Sequence, residues 1–366
     1  MKPRFTKYLL KWNAKSNSRA MPWKQEKDPY KIWISEVILQ QTRVDQGLHY
    51  YNRFISAYPG VHDLAKAPEQ EIFKLWEGLG YYNRCKSLIT TAKRISGQME
   101  GRFPDNYDDI RSLKGIGPYT AAAIASFAFN LPYAVVDGNV IRVLSRYFGI
   151  STPSSSSDGK NLYTQLAAGL LDKKQPGIFN QAIMDFGAVI CKPRLPLCPI
   201  CVQKKDCQAL KHGWVNDLPV KDKSAKRKTR WFYYFLIEYN NRFYVRKRSR
   251  SDIWENLYEF VLKENDKPLP CNDAAAMQME LEDIVGNKQI ELKQISKEYR
   301  QHLTHQTIAG RFIMAKTTEP AAIPGGYEAL PGKDLIRYPF PKFINAYLSD
   351  ILFVEGDSSA FIDRPS

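Results

Sequence analysis

Four cysteines, Cys191, Cys198, Cys201 and Cys207, fall within one short stretch spaced C-x6-C-x2-C-x5-C. Pro193, Pro196 and Pro199 stand between them, so the stretch holds neither a regular helix nor a regular strand. A metal centre would order a loop whose backbone cannot order itself. Zinc modules usually pair two knuckles, each with two to four residues between its ligands. Only Cys198 and Cys201 form a knuckle here, and the flanking gaps of six and five suit a larger inorganic core. Four thiolates are the ligand set of a 4Fe–4S cluster; a zinc loop or uncommitted cysteines are the alternatives.

Two carboxyl groups are the other candidates for chemistry. Glu36 lies in DPYKIWISEVILQQTRV, where Asp28-Pro29 reads as a helix start. Its helical neighbours at three and four residues are Ile32, Trp33, Leu39 and Gln40. Facing them, the carboxyl is expensive to ionise and could hold a proton near neutral pH; the alternative is a carboxylate on the one polar edge of the helix. Asp137, with Asn139 in AVVDGNVIRVLSR, reads equally as a helix cap or as an aspartate at the mouth of a site.

The elements that must position these groups read as helices almost throughout, from Lys2 to about Asp206. The first is amphipathic, with Phe5, Tyr8, Leu9 and Trp12 on one face, and others follow at roughly 45–57, 68–76, 84–96 and 105–113. In GLGYYNR, two glycines frame a turn presenting Tyr81 and Tyr82, as wedges for stacked bases or as core. In LKGIGPYTAAAIASFAF, a helix ends at Gly115-Ile116-Gly117 and another begins at Pro118. Free N–H groups at that start make a phosphate seat, the pattern of a helix–hairpin–helix; a plain helical corner is the alternative. Residues 151–160 read as a polar loop. After the basic run KDKSAKRKTR the period changes to strand–turn–strand in RWFYYFLIEYNNRFYVRKRS, with Asn240-Asn241 at the turn and a helix near 273–285 further on.

Composition narrows the class. A length of 366 residues suggests two domains, and 44% hydrophobic content supports packed cores. Six cysteines, four of them clustered, speak for a reducing compartment rather than a disulfide framework. The net charge of +15 suits a polyanionic partner such as nucleic acid, with anionic membrane surfaces or mere solubility as the plainer readings. Neither a signal peptide nor an apolar run of membrane-spanning length is visible, and the expectation is a soluble protein of the cytoplasm, the bacterial cytosol or nucleoid.

MPWK, WISEVILQQTRV, EGLGYYNR, LKGIGPYTAAAIASFAF, VVDGNVIRV, NQAIMDFGA and the cysteine spacing together resemble the helix–hairpin–helix DNA glycosylases that carry a 4Fe–4S cluster. Within them they resemble the MutY family of adenine glycosylases. The resemblance implies a mainly α helix–hairpin–helix glycosylase domain over residues 1–215, with the cluster loop at 191–207 and a basic linker at 216–230. It also implies an α+β Nudix-like lesion-recognition domain over 231–352, and a tail at 353–366 without fixed structure. WENLYEFV and YPFPKFI carry the likeness in the second half; the acidic metal-binding Nudix box is missing, so no nucleotide hydrolysis is expected.

The implied substrate is double-stranded DNA with adenine opposite 8-oxoguanine or guanine, handled by a monomer with no membrane partner. Glu36 would protonate the adenine and Asp137 would stabilise the oxocarbenium ion, with Tyr119 and Asn139 positioning them. Gln41, Tyr81, Gly115, Gly117, Lys192 and Arg194 are implied DNA contacts, Trp23 and Gln181 line the adenine pocket, and Thr304 and His305 read the 8-oxoguanine. In the endonuclease III-like branch a nucleophilic lysine stands eighteen residues before the site aspartate. This chain has Tyr119 there, with no amine, which favours base release without strand cleavage. Lys24 in place of a frequent arginine, Gln181 where some members carry Glu, and Leu303 in place of an aromatic are departures.

Overall fold

The computed structural model describes residues 2–354 apart from 22, 25, 43, 221–226, 250, 251, 272, 287, 288 and 322. Of the tail expected at 353–366, residues 353 and 354 end a helix and the rest lies outside the described residues, as does most of the charged run after 220. The chain divides into two units, Met1–Lys66 with Lys86–Lys223, and Ala67–Cys85 with Ser224–Ser366. A single cut near residue 215 does not describe this, because residues 67–85 group with the second unit.

The helices of the first part are α1 (Lys2–Ser16), α2 (Pro29–Leu39), α3 (Val44–Ala57), α4 (Val61–Lys66), α5 (Glu69–Trp76), α6 (Tyr82–Gln98), α7 (Tyr107–Ser112), α8 (Pro118–Phe129), α9 (Gly138–Phe148), α10 (Ser157–Leu170), α11 (Pro176–Val189) and α12 (Gln208–His212). Local chemistry sets several boundaries. Asp28 caps α2, its side chain accepting the Tyr30 N–H with Pro29 in the first turn. Helix α10 starts inside the stretch expected as loop, because Ser156 accepts the Gly159 N–H and supplies a cap. The apolar face of α1 (Phe5, Leu9 and Trp12) packs with Val140, Leu144 and Tyr147 of α9 and with Phe179, Ile183 and Phe186 of α11. Tyr8, expected on that face, is half-buried beneath the Arg4 guanidinium instead.

Glycines let α11 come close to α8 and α9. A Cβ on Gly187 would stand 2.7 Å from the Asn139 Cβ, and one on Gly177 would stand 2.7 Å from the Ser126 carbonyl oxygen. Asn180, fully buried between them, accepts the Val135 N–H and donates to Ser126 Oγ and the Tyr133 carbonyl. The irregular segment leading to Asp137 is thereby held by one side chain of α11.

The second unit contains a mixed sheet of β1 (Lys228–Tyr239), β2 (Arg242–Lys247), β3 (Tyr258–Asn265), β4 (Ile290–Ile295), β5 (Tyr299–His302), β6 (Gln306–Thr317) and β7 (Glu328–Pro331), with α13 (Ala274–Val285) and α14 (Lys342–Val354). Strand order is β4-β6-β1-β3-β2-β7, with β5 also on β6, and among the described residues the β1–β6 pair is parallel and the others antiparallel. Phe232 to Ile237 are buried without alternation, as a strand covered on both faces requires. Tyr233, Phe235 and Ile237 pack with Met277 and Leu281 of α13. On the opposite face Tyr234 stacks on Phe312, which stacks on Tyr347 of α14. The α+β class expected for this half is present.

Candidate active site and nucleic-acid interface

Glu36 lies inside α2, 5% exposed, with Trp33 and Ile32 buried beside it. The polar-edge alternative is thus excluded. Burial raises its carboxyl from 4.5 to about 7; a hydrogen bond with Tyr119 opposes this, and the nearby Asp137 charge adds to it. Tyr119, in the first turn of α8, is itself driven well above the ordinary phenol range by burial and by the charges of Glu36 and Asp137, so it remains a donor.

Asp137 takes the helix-cap position that its sequence suggested. It caps α9, taking the Val140 N–H at 2.7 Å, and its other oxygen takes the Asn139 amide at 2.7 Å. Burial raises its pKa, while Val140, Asn139 and the positive charge of Arg142 work against that rise. Glu36, Tyr119, Asp137 and Asn139 are therefore brought together by α2, α8 and α9. The two carboxyls sense one another, Glu36 in an apolar setting and Asp137 accepting hydrogen bonds from Val140 and Asn139.

Arg142 went unremarked in the sequence. Its guanidinium donates to the Cys191 carbonyl at 2.7 Å, to Asn139 Oδ1 at 2.8 Å and to the Gly187 carbonyl at 2.8 Å. One side chain thus ties the partner of Asp137 to the start of the cysteine loop. Arg146, 3% exposed, ties the loop at the Lys192 carbonyl at 2.7 Å and the Pro193 carbonyl at 3.3 Å, and also donates to the Leu218 carbonyl beyond it at 3.0 Å. Its guanidinium also lies 3.5 Å from Cys191 Sγ, and its own carbonyl accepts from Cys207 Sγ.

The four cysteines are neighbours, Cys201 sensing the charges of Cys191, Cys207 and Cys198. Burial raises Cys201 to about 12 and also raises Cys198 and Cys207, so thiolates here need a cation to balance them. Among the described residues no group of three or more His, Cys, Asp or Glu is gathered around a single ion. A cubane puts each thiolate on a different iron and so spreads its ligands further than one ion does. The donor set, its mutual proximity and the Arg146 guanidinium at Cys191 fit such a cluster.

Several expected DNA contacts have unusual backbone. Gln41 is exposed at φ +58° and Tyr81 is exposed at φ +50°, left-handed conformations that non-glycine residues adopt uncommonly. The two tyrosines separate: Tyr81 is 47% exposed, with the Arg84 guanidinium over its ring, and Tyr82 is 8% exposed core. Gly115 needs its φ of +78°, and a Cβ there would meet the Ser87 Cβ at 2.4 Å. Gly117, at the N-cap of α8, is different: its φ is −85° and nothing stands within 4 Å of a Cβ placed there. A side chain there would meet no steric obstacle within the chain. Lys192 is half-buried and Arg194 exposed in the cysteine loop.

Trp23 is buried edge-on against Tyr51, with ring centroids 5.3 Å apart. Gln181 donates from its amide to Asp185, which also pairs with Lys24 and Arg19. Asp185 and Asn180 were missed in the sequence; polar residues amid the apolar run of NQAIMDFGAV are the signal that could have found them. In the second unit Thr304 and His305 are exposed at the turn between β5 and β6, and Thr304 Oγ1 lies 3.4 Å from the Tyr81 hydroxyl.

Residues 34–165 match the HhH-GPD superfamily of base excision DNA repair proteins. An adenine DNA glycosylase of Buchnera aphidicola (subspecies Schizaphis graminum) is 36% identical over 258 residues, 70% of this chain and 74% of that protein. The human adenine DNA glycosylase is 39% identical over 210 residues, covering 55% of this chain and 38% of its own length. Among solved structures, a thermostable thymine-DNA glycosylase superposes with a TM-score of 0.53 at 34% identity, over 57% of this chain and 96% of that one. An endonuclease III–DNA complex, 24% identical with a TM-score of 0.50 over 58% of this chain and 97% of that one, shares the fold. With likeness of this extent to a curated relative, the chain belongs to the adenine DNA glycosylase family.

Proposed function

We propose that this chain hydrolyses the N-glycosidic bond of adenine opposite 8-oxoguanine or guanine in duplex DNA, leaving an abasic site and an intact strand. Its place among DNA glycosylases of base excision repair rests on its relatives; the mispair and the residue roles are our reading. The observation that carries it is the pairing of a buried Glu36, neutral up to about pH 7, with an Asp137 that accepts hydrogen bonds from Val140 and Asn139.

The glycosidic bond is out of reach inside the stack, so the nucleotide is extruded first. Glu36 donates its proton to adenine N7, and the bond breaks with the electron pair leaving on the base. The sugar becomes an oxocarbenium-like cation, and the Asp137 carboxylate stabilises it. Water adds to the anomeric carbon and gives its proton to Glu36, which restores the acid. Tyr119 keeps Glu36 oriented by its hydrogen bond, and Asn139 keeps Asp137 oriented. Tyr119 offers a hydroxyl and no amine, which supports hydrolysis without a Schiff base.

Cys191, Cys198, Cys201 and Cys207 would hold a 4Fe–4S cluster, which when bound orders the loop carrying Lys192 and Arg194. Gly115, Gly117 and the start of α8 would seat a phosphate, and Gln41 and Tyr81 would each contact the DNA. Residues 231–352 would form a Nudix-like domain whose Thr304 and His305 read the 8-oxoguanine. Strand-labelled duplex with adenine opposite 8-oxoguanine tests the proposal: product only after hot alkali is expected. Strand cleavage without alkali refutes the monofunctional reading, and no product in either case refutes the activity.

A further inference from the structure

Asp185 of α11 is a fully buried carboxylate that the reaction described above does not use. Its Oδ1 accepts from the Arg19 guanidinium at 2.9 Å and from the Gln181 amide nitrogen at 3.0 Å. Its Oδ2 accepts from Asn17 at 2.8 Å and from Lys24 Nζ at 3.1 Å. All four contacts run from a nitrogen donor to an Asp185 oxygen, so the side chain is used here wholly as an acceptor. The Gln181 NH2 must therefore face Asp185, and its carbonyl oxygen must face away. That oxygen takes no hydrogen bond within the described residues, and Gln181 is half-exposed.

We propose that Asp185 is a positioning residue for base selection, fixing the Gln181 side-chain amide so that only its carbonyl oxygen faces the extruded base. This rests on the reading that Gln181 lines the adenine pocket. A fixed acceptor matches a purine carrying an exocyclic N–H and opposes one carrying a carbonyl at the same edge, since two acceptors then meet. Lys24 and Arg19 act at one remove: they hold Asp185 as a pure acceptor. A glutamate at 181 would set a second carboxyl about 3 Å from Asp185, whereas the glutamine of this chain needs no proton to occupy the position.

The test is single-turnover release of adenine and of hypoxanthine, each opposite 8-oxoguanine, by the unaltered protein, Asp185→Asn and Gln181→Met. A neutral amide at 185 both donates and accepts, so Gln181 turns either way, and the adenine-to-hypoxanthine rate ratio should fall about tenfold. Gln181→Met keeps length and leaves Asp185 with its cations, so the same fall is expected there even if Asp185→Asn does not fold. Combining the two substitutions in a folded protein should lower the ratio no further. Both rates falling together in Asp185→Asn at constant ratio would mean a structural role only and overturn the proposal, as would an unchanged ratio in Gln181→Met. Failure of the unaltered protein to release adenine overturns the underlying function instead, and is seen in the first lane.

Discussion

Replacing Glu36 by Gln should stabilise the protein at alkaline pH while removing its activity. Burial holds the folded-state carboxyl at about 7 against 4.5 for a free one, a gap of about 2.5 that corresponds to roughly 3 kcal/mol. The folded state thus binds this proton more tightly than the unfolded chain does, and stability falls as pH rises from 4.5 through 7. Below pH 4.5 the neutral acid has no such cost, and above 7 the whole penalty is present. Gln carries the neutral shape at every pH, so it should remove a penalty of about 3 kcal/mol at pH 8 and almost none at pH 4.5. For a unit of this size that is on the order of 6–12 °C in melting temperature. The assay is urea denaturation of both proteins across pH 4.5 to 8.5, alongside single-turnover kinetics. The rate constant of the unaltered protein should fall tenfold per pH unit above about 7, and that of Glu36→Gln should be lower by about 10²–10⁴ throughout. A stability difference between the two proteins that does not change with pH would refute the claim that burial keeps Glu36 protonated.

Asp137→Asn retains a good helix cap, so its stability should stay within about 0.5 kcal/mol, whereas base release should drop by about 10³ with duplex affinity preserved; denaturation and gel-shift titration check the two halves. Gly115→Ala should cost at least about 2 kcal/mol, because its φ is +78° and Ser87 stands 2.4 Å from the new methyl. Gly117→Ala should leave stability within about 0.5 kcal/mol and weaken binding to undamaged duplex about tenfold at fixed salt. Unchanged affinity in Gly117→Ala would remove α8 from the DNA interface. Arg142→Met leaves the Cys191 and Gly187 carbonyls without their donor, so roughly 2–4 kcal/mol of stability and part of the bound iron should be lost. Denaturation and iron content per chain measure both.

The helix caps were legible because their causes are local. Asp28 and Asp137 accept N–H groups two and three residues away, and that spacing is written in the chain. The same holds for the glycine turn at 115 and for the cysteine spacing. The start of α10 was lost because serines favour loops and caps alike, and only one of the run, Ser156, became the cap. Whether Tyr81 or Tyr82 faced solvent could not be read either, since adjacent residues of equal chemistry differ only in the direction the turn gives them.

Residue types and local spacing, by themselves, determined the helix–hairpin–helix half, the strand-rich half, the four-thiol loop and a carboxyl set among apolar neighbours. Tertiary structure decided which of those groups meet. The Glu36 carboxyl is raised mainly by burial, with the Asp137 charge adding to the rise and the Tyr119 hydrogen bond opposing it, and α2, α8 and α9, which carry these three residues, are separated by long stretches of chain. Asp185 gathers Asn17, Arg19 and Lys24 from more than 160 residues away, and Arg142 reaches the cysteine loop across 49. Burial and long-range hydrogen bonding depend on what the rest of the chain packs around a residue, and no local pattern encodes that.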